Sequence, residues 1–161
     1  MIHLPALEES WTVQYRDNGS AAAQARVPRQ GIVVVSGQIR NAEKVREALR
    51  RWLVRQARSS LVPWLKELSE DAGLSFGRVA IRGQRTRWGS CSARGNINLN
   101  YKLLFLTPDL VRYILHHELC HTVHLDHSRL FWELLASFEP DYRVYNRQVK
   151  RGMEHVPGWA K

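Results

Sequence analysis

The sequence predicts an α+β fold. Three observations carry this. Short β-branched runs bounded by turn residues fill residues 1–40. One long stretch of helical periodicity follows over 41–76. A second strand region at 77–100 then precedes a run of capped helices over 107–152. With no internal repeat, low-complexity tract or long linker, this order fits one domain over 1–161, and 161 residues can bury a core of their own.

Each element has its own signal. In "WTVQYRDNGSAAAQARVP" (11–28), a strand-like run meets Asp17-Asn18-Gly19, a strong turn, and then a second short strand. "GIVVVSG" (31–37) is β-branched and closed by glycines. These runs predict a small antiparallel meander over 1–40. From Asn41, a fair N-cap, apolar residues recur at Val45, Leu49 and Trp52 or Leu53, the spacing of a buried helix face. Pro63 predicts a break or kink, and Gly73 an end. Val79-Ala80-Ile81 reads as a strand, and Ile97-Asn98-Leu99-Asn100 alternates as a strand with one wet face should. The glycine- and arginine-rich segment between them reads as loop or irregular edge. Thr107-Pro108-Asp109 starts a helix, with Thr as cap, Pro in the first turn and Asp near the positive dipole end. Val111, Leu115, Leu119 and Val123 then recur every four residues, which extends that helix to about Leu125. Ser128 and Asp141 can cap two further helices, separated by Pro140.

The composition narrows the setting. Lys plus Arg is 24 against 15 for Asp plus Glu, a net +9, which favours anionic partners or a solvated basic surface. Two cysteines, Cys91 and Cys120, cannot build a disulfide framework. No secretory signal and no membrane-spanning run is visible, so a cytoplasmic location is expected and no membrane association.

The chemistry concentrates in the helix from Pro108. His117-Glu118-Leu119-Cys120-His121 fits H-E-x-x-H inside a helical context, so the two histidines share a face and can grip one Zn²⁺ ion. Glu118 is placed to take a proton from water at that metal and pass it to a leaving group. A catalytic zinc needs a third protein ligand. His127, at i+10, can fold back after a sharp turn near Leu125-Asp126 and is preferred. His124 at i+7 competes, and Glu133 or Glu139 would complete a His₂Glu set. His116 points about 100° away from His117, toward the surface or a supporting role.

The chain resembles the YgjP-like metallopeptidase family, relatives of the SprT and WLM zincin-type proteins. The stretches that carry the resemblance are "RTRWGSCS" (85–92), "GNINLN" (95–100), "HHELCH" (116–121), "DHSRLFWELL" (126–135) and "PDYR" (140–143), with Pro28 and Trp52 also at family positions. The resemblance spans nearly the whole chain. It implies a zincin-like fold, His117, His121 and His127 as zinc ligands, Glu118 as general base and a protein or peptide substrate. Asp126 stands where the family often has Asn, and its carboxylate is a possible acceptor behind a ligand. The i+10 spacing also resembles that of metzincins, but those place Gly where this chain has His124.

The arginine loop holds the remaining candidates. Arg85, Arg87, Trp88 and Asn98 are candidate substrate contacts, with residues 95–100 as the strand edge along which a peptide would lie. The same arginines, with Trp88 stacking a base, would alternatively contact nucleic acid. A structural role for them is equally open. Tyr142, Tyr145 or Arg143 would stabilise an oxyanion. Cys91 is a candidate inhibitory fourth ligand, and Cys120 is expected to pack inertly. Two competing functions follow from the same residues. One is a metal-dependent phosphohydrolase acting on nucleotides. The other is a nucleic-acid-associated protein with a structural metal.

Overall fold

The computed structural model describes all 161 residues. Seven strands form two small sheets. The first contains β1 (Ile2–Leu4), β2 (Glu9–Arg16), β3 (Gln24–Arg29) and β4 (Ile32–Ser36), in the order β1-β2-β4-β3. The second contains β5 (Val79–Arg82), β6 (Gly89–Cys91) and β7 (Ile97–Asn100), in the order β5-β7-β6. Four helices accompany them: α1 (Ala42–Ala72), α2 (Pro108–Cys120), α3 (Arg129–Phe138) and α4 (Tyr142–Lys150). The α+β class therefore holds. No helix is long and apolar enough to cross a membrane.

The sheets are mixed, which corrects the expected antiparallel meander. The turn at Asp17-Asn18-Gly19 forms, with Asp17 and Asn18 oxygens accepting from the amides two residues on. It does not join paired strands. β4 inserts between β2 and β3, parallel to β2 and antiparallel to β3. A local turn fixes chain reversal but not which strand fills the space beside it. Likewise β7 pairs parallel with β5 and antiparallel with β6, so residues 97–100 lie at the centre of their sheet. The edges are β5 and β6, and β6 falls in the segment read as loop or irregular edge.

α1 begins as expected, with Asn41 Oδ1 accepting from Lys44 N, and ends at Gly73 in the left-handed conformation. Pro63 does not break it. Leu61 and Leu65 on either side are fully buried, and their packing offsets the one backbone bond that proline forgoes. α2 stops at Cys120, five residues before the sequence limit. Val123 is consequently exposed rather than part of the stripe that Val111, Leu115 and Leu119 bury. One cluster of 36 buried residues, drawn from both sheets and from α1, α2 and α3, backs α2 from behind.

Candidate metal centre

The early stop of α2 builds the centre. Thr122 Oγ1 donates to Leu119 O, and the amides of Val123 and His124 both return to Cys120 O, so the chain tightens into a turn directly after His121. His121 Nδ1 lies 2.9 Å from the His124 carbonyl. That contact fixes the ring as an Nδ1–H donor with its Nε2 lone pair free. The turn then delivers His127 over the helix. Ser128 caps α3 immediately afterwards by accepting from Phe131 N, which anchors the far side of the loop.

His117 Nε2 is 3.2 Å from His121 Nε2 and 3.2 Å from His127 Nε2. Two nitrogens bound at ~2.05 Å on a tetrahedral zinc would be about 3.3 Å apart. The three ligand atoms all fall within 4.8 Å of one another, and no other His, Cys, Asp or Glu joins the group. Burial, followed by the charges of His121 and His127, pushes His117 down to about 3, and burial likewise lowers His121. Both rings therefore present neutral lone pairs, the form a metal takes. The rings are held by aromatic packing: Phe131 stacks on His121 and Trp132 on His127. The donor set and its spacing fit a divalent metal ion.

Glu118 faces the same cleft. Its Oε2 is buried without any protein partner. Burial pushes its carboxyl up to about 8, against the opposing pull of the Arg87 guanidinium. The cleft has a volume of about 420 Å³. Its walls are β6, the α2 face and the inner side of α4.

Several expected participants lie elsewhere. His124 contributes its carbonyl, and no side-chain nitrogen to the cluster. Glu139 is no ligand: its buried carboxylate meets His116 Nδ1 at 2.8 Å and Arg112 Nε at 2.7 Å. His116 is accordingly buried and stacked on Phe138 rather than exposed. Glu133 pairs with Arg129 on the surface. Asp126 is exposed, and the acceptor behind His121 is a backbone carbonyl. Of the arginine loop only Arg87 lines the cleft. Trp88 borders it but is buried, with its indole N–H on Val149 O, so it cannot stack a base. Arg85 lies toward Lys102 instead. Asn98 is engaged by Ser90 and Arg82. Tyr142 stacks on Trp132 outside the cleft, and Tyr145 contacts Arg112. Cys91 does line the cleft, but burial and then the Glu118 charge push its thiol up to about 11. Cys120 is buried, as expected.

Sequence reasoning missed Tyr113 and Asn146. Tyr113 OH lies 3.2 Å from Asn146 Oδ1, and both residues line the cleft. Tyr113 reads only as another apolar position of α2, and nothing local marks Asn146 among the polar residues of α4.

The family model described as YgjP-like, metallopeptidase domain matches residues 2–152. The chain belongs to the YgjP-like metallopeptidase family. That makes it a metal-dependent hydrolase of the peptidase kind. Among solved structures, the metallopeptidase zymogen of Pyrococcus abyssi abylysin aligns with a TM-score of 0.50 and 24% identity, over 56% of this chain and 91% of that one. This likeness speaks to fold. No curated protein matches this YgjP-like chain.

Proposed function

We propose that the chain is a zinc-dependent peptidase in which His117, His121 and His127 hold the ion and Glu118 is the general base. The observation that carries this is the convergence of three Nε2 atoms beside a buried carboxylate oxygen that has no protein partner. Three imidazoles at tetrahedral spacing favour zinc among the common divalent ions. Bound there, zinc would supply Lewis acidity, polarising a scissile carbonyl and acidifying water.

The remaining work falls to the chain. Glu118 Oε2 accepts a proton from water in the cleft and returns it to the leaving amine. Arg87, the one cationic side chain of the cleft apart from histidines, partly counters the burial that raises the Glu118 carboxyl and so favours its charged form. β6 offers a free strand edge beside that carboxylate, on which an extended peptide can pair its backbone. The phosphohydrolase alternative would need several cations around the cleft, and a single arginine does not supply them. The continuous core supports one domain over 1–161. The two free cysteines suit a reducing compartment, from which we infer a cytoplasmic location.

The test is Glu118→Gln, assayed on casein and on a mixed peptide library beside a zinc determination. Full zinc with hydrolysis lost is expected. Hydrolysis at the wild-type rate would end the general-base assignment.

A further inference from the structure

A second charged surface lies away from the metal centre and shares no lining residue with it. α1 carries Lys44, Arg51, Arg55 and Arg58, which helical geometry puts within about 60° of one another around the axis and along about 21 Å of its length. Three of these cations are tied to one segment of chain. Lys44 Nζ donates to Ala21 O, Arg51 Nη2 to Ala23 O and Arg55 Nη2 to Ala25 O. They thus cover alternate carbonyls leading into β3, one of the two outer strands of the first sheet.

Each guanidinium spends one of its five N–H donors on that anchor. The rest are free, and the anchors limit the entropy lost when they engage a ligand. The groove between β3 and α1 has a volume of about 500 Å³ and no carboxylate in its lining. Arg26, from β3, adds a third guanidinium to Arg51 and Arg55, and Gln24 and Gln56 add amides. Trp52 forms part of the wall, and its buried indole N–H has no protein acceptor. The one carboxylate of α1 near this stripe, Glu47, falls on its margin by helical geometry.

We propose that this groove binds the phosphodiester backbone of a nucleic acid. Anchored guanidinium groups two residues apart on an extended chain are about 6.6 Å apart if they follow their carbonyls. That is comparable to the spacing of adjacent phosphates in one strand. A continuous polyanion suits a cationic line of this length, and a flat lipid surface does not enter a groove. Trp52 is fully buried, so no ring is offered for base stacking. The surface reads backbone and not sequence.

The experiment is fluorescence anisotropy of the full chain with a labelled mixed-sequence DNA duplex, titrated across salt concentrations. Contact with about three phosphates predicts a slope of log K against log salt near −3, and Arg51→Gln/Arg55→Gln should reduce its magnitude by about two. Arg26→Gln, whose only partner is the Gln24 side chain, should reduce it by about one without touching the backbone. That variant carries the test if the double one melts. Glu118→Gln should bind DNA as the wild type does, so that this result stands apart from the fate of the peptidase reading. Three outcomes overturn the proposal: no salt-dependent binding, unchanged slopes in Arg26→Gln, or polyglutamate binding as tightly as duplex.

Discussion

Gly89 allows β6 to approach the helix that carries Glu118, and Gly89→Ala tests that approach. A Cβ there would stand 3.0 Å from Glu118 Cγ, 3.3 Å from Glu118 Cδ and 3.0 Å from the Asn98 carbonyl oxygen, where 3.4–4 Å is ordinary contact. The backbone oxygen belongs to β7, hydrogen-bonded in the middle of its sheet. The Glu118 side chain is the softer partner, and relief requires it to retreat by a few tenths of an ångström. A misplacement of about 1 Å at a reacting group costs on the order of 10²-fold in rate, so a shift of a few tenths should lower kcat by up to about 10-fold. Overpacking should cost about 1–3 kcal/mol of stability. The three nearest atoms to the new methyl belong to Asn98 and Glu118 and none to a histidine, so zinc content is expected to stay at the wild-type level. The measurements are kcat on a cleaved peptide, zinc by mass spectrometry and a thermal melt. Unchanged kcat in a folded, zinc-replete variant would refute the reasoning. Zinc loss in step with activity would refute it too, because the damage would then lie at the ligands.

Two further outcomes are expected. His127→Ala should abolish stoichiometric zinc binding. His124→Ala should keep it, because His121 leans on the backbone carbonyl of residue 124; zinc loss in the latter variant would reassign the ligand set. The second outcome concerns acid stability. Burial alone would raise the Glu139 carboxyl, but His116 and Arg112 overbalance it and hold it below its usual 4.5. Between the folded and unfolded values the native state binds fewer protons. The stabilisation is therefore complete above about pH 4.5 and is lost as pH falls through the folded value. Urea unfolding from pH 6 downward should show a shallower acid loss in Glu139→Gln than in the wild type, and parallel curves would count against the pairing.

Much of this was legible in the chain, where the signal was local. Asn41, Gly73, Thr107-Pro108 and Ser128 mark helix ends through capping and backbone preference, and those ends stand where they should. His117, Glu118 and His121 follow from periodicity within one helix. What escaped depended on distant partners. The apolar spacing carried α2 on to Leu125, but the bond between His121 Nδ1 and the His124 carbonyl belongs to a turn that periodicity cannot register. β4 between β2 and β3 is a choice among pairings of similar propensity. Asn146 reaches the cleft only because α4 packs against α2. Pro63 does not end α1 for a related reason: tertiary burial of its neighbours outweighs a local preference.

The three histidines are not equivalent, and this bears on how zinc enters and leaves. His117 and His121 stand on a helix backed by the core, and His121 is further locked by the carbonyl at residue 124. His127 is exposed, on a loop outside any helix or strand. For the proposed ion, the expected order of uptake would be capture by His117 and His121 and then closure by His127. Release would run in reverse, beginning at the loop residue His127. The proposed centre would then depend for metal exchange on the short segment from Thr122 to Ser128, so a chelator is expected to remove the ion without unfolding the core.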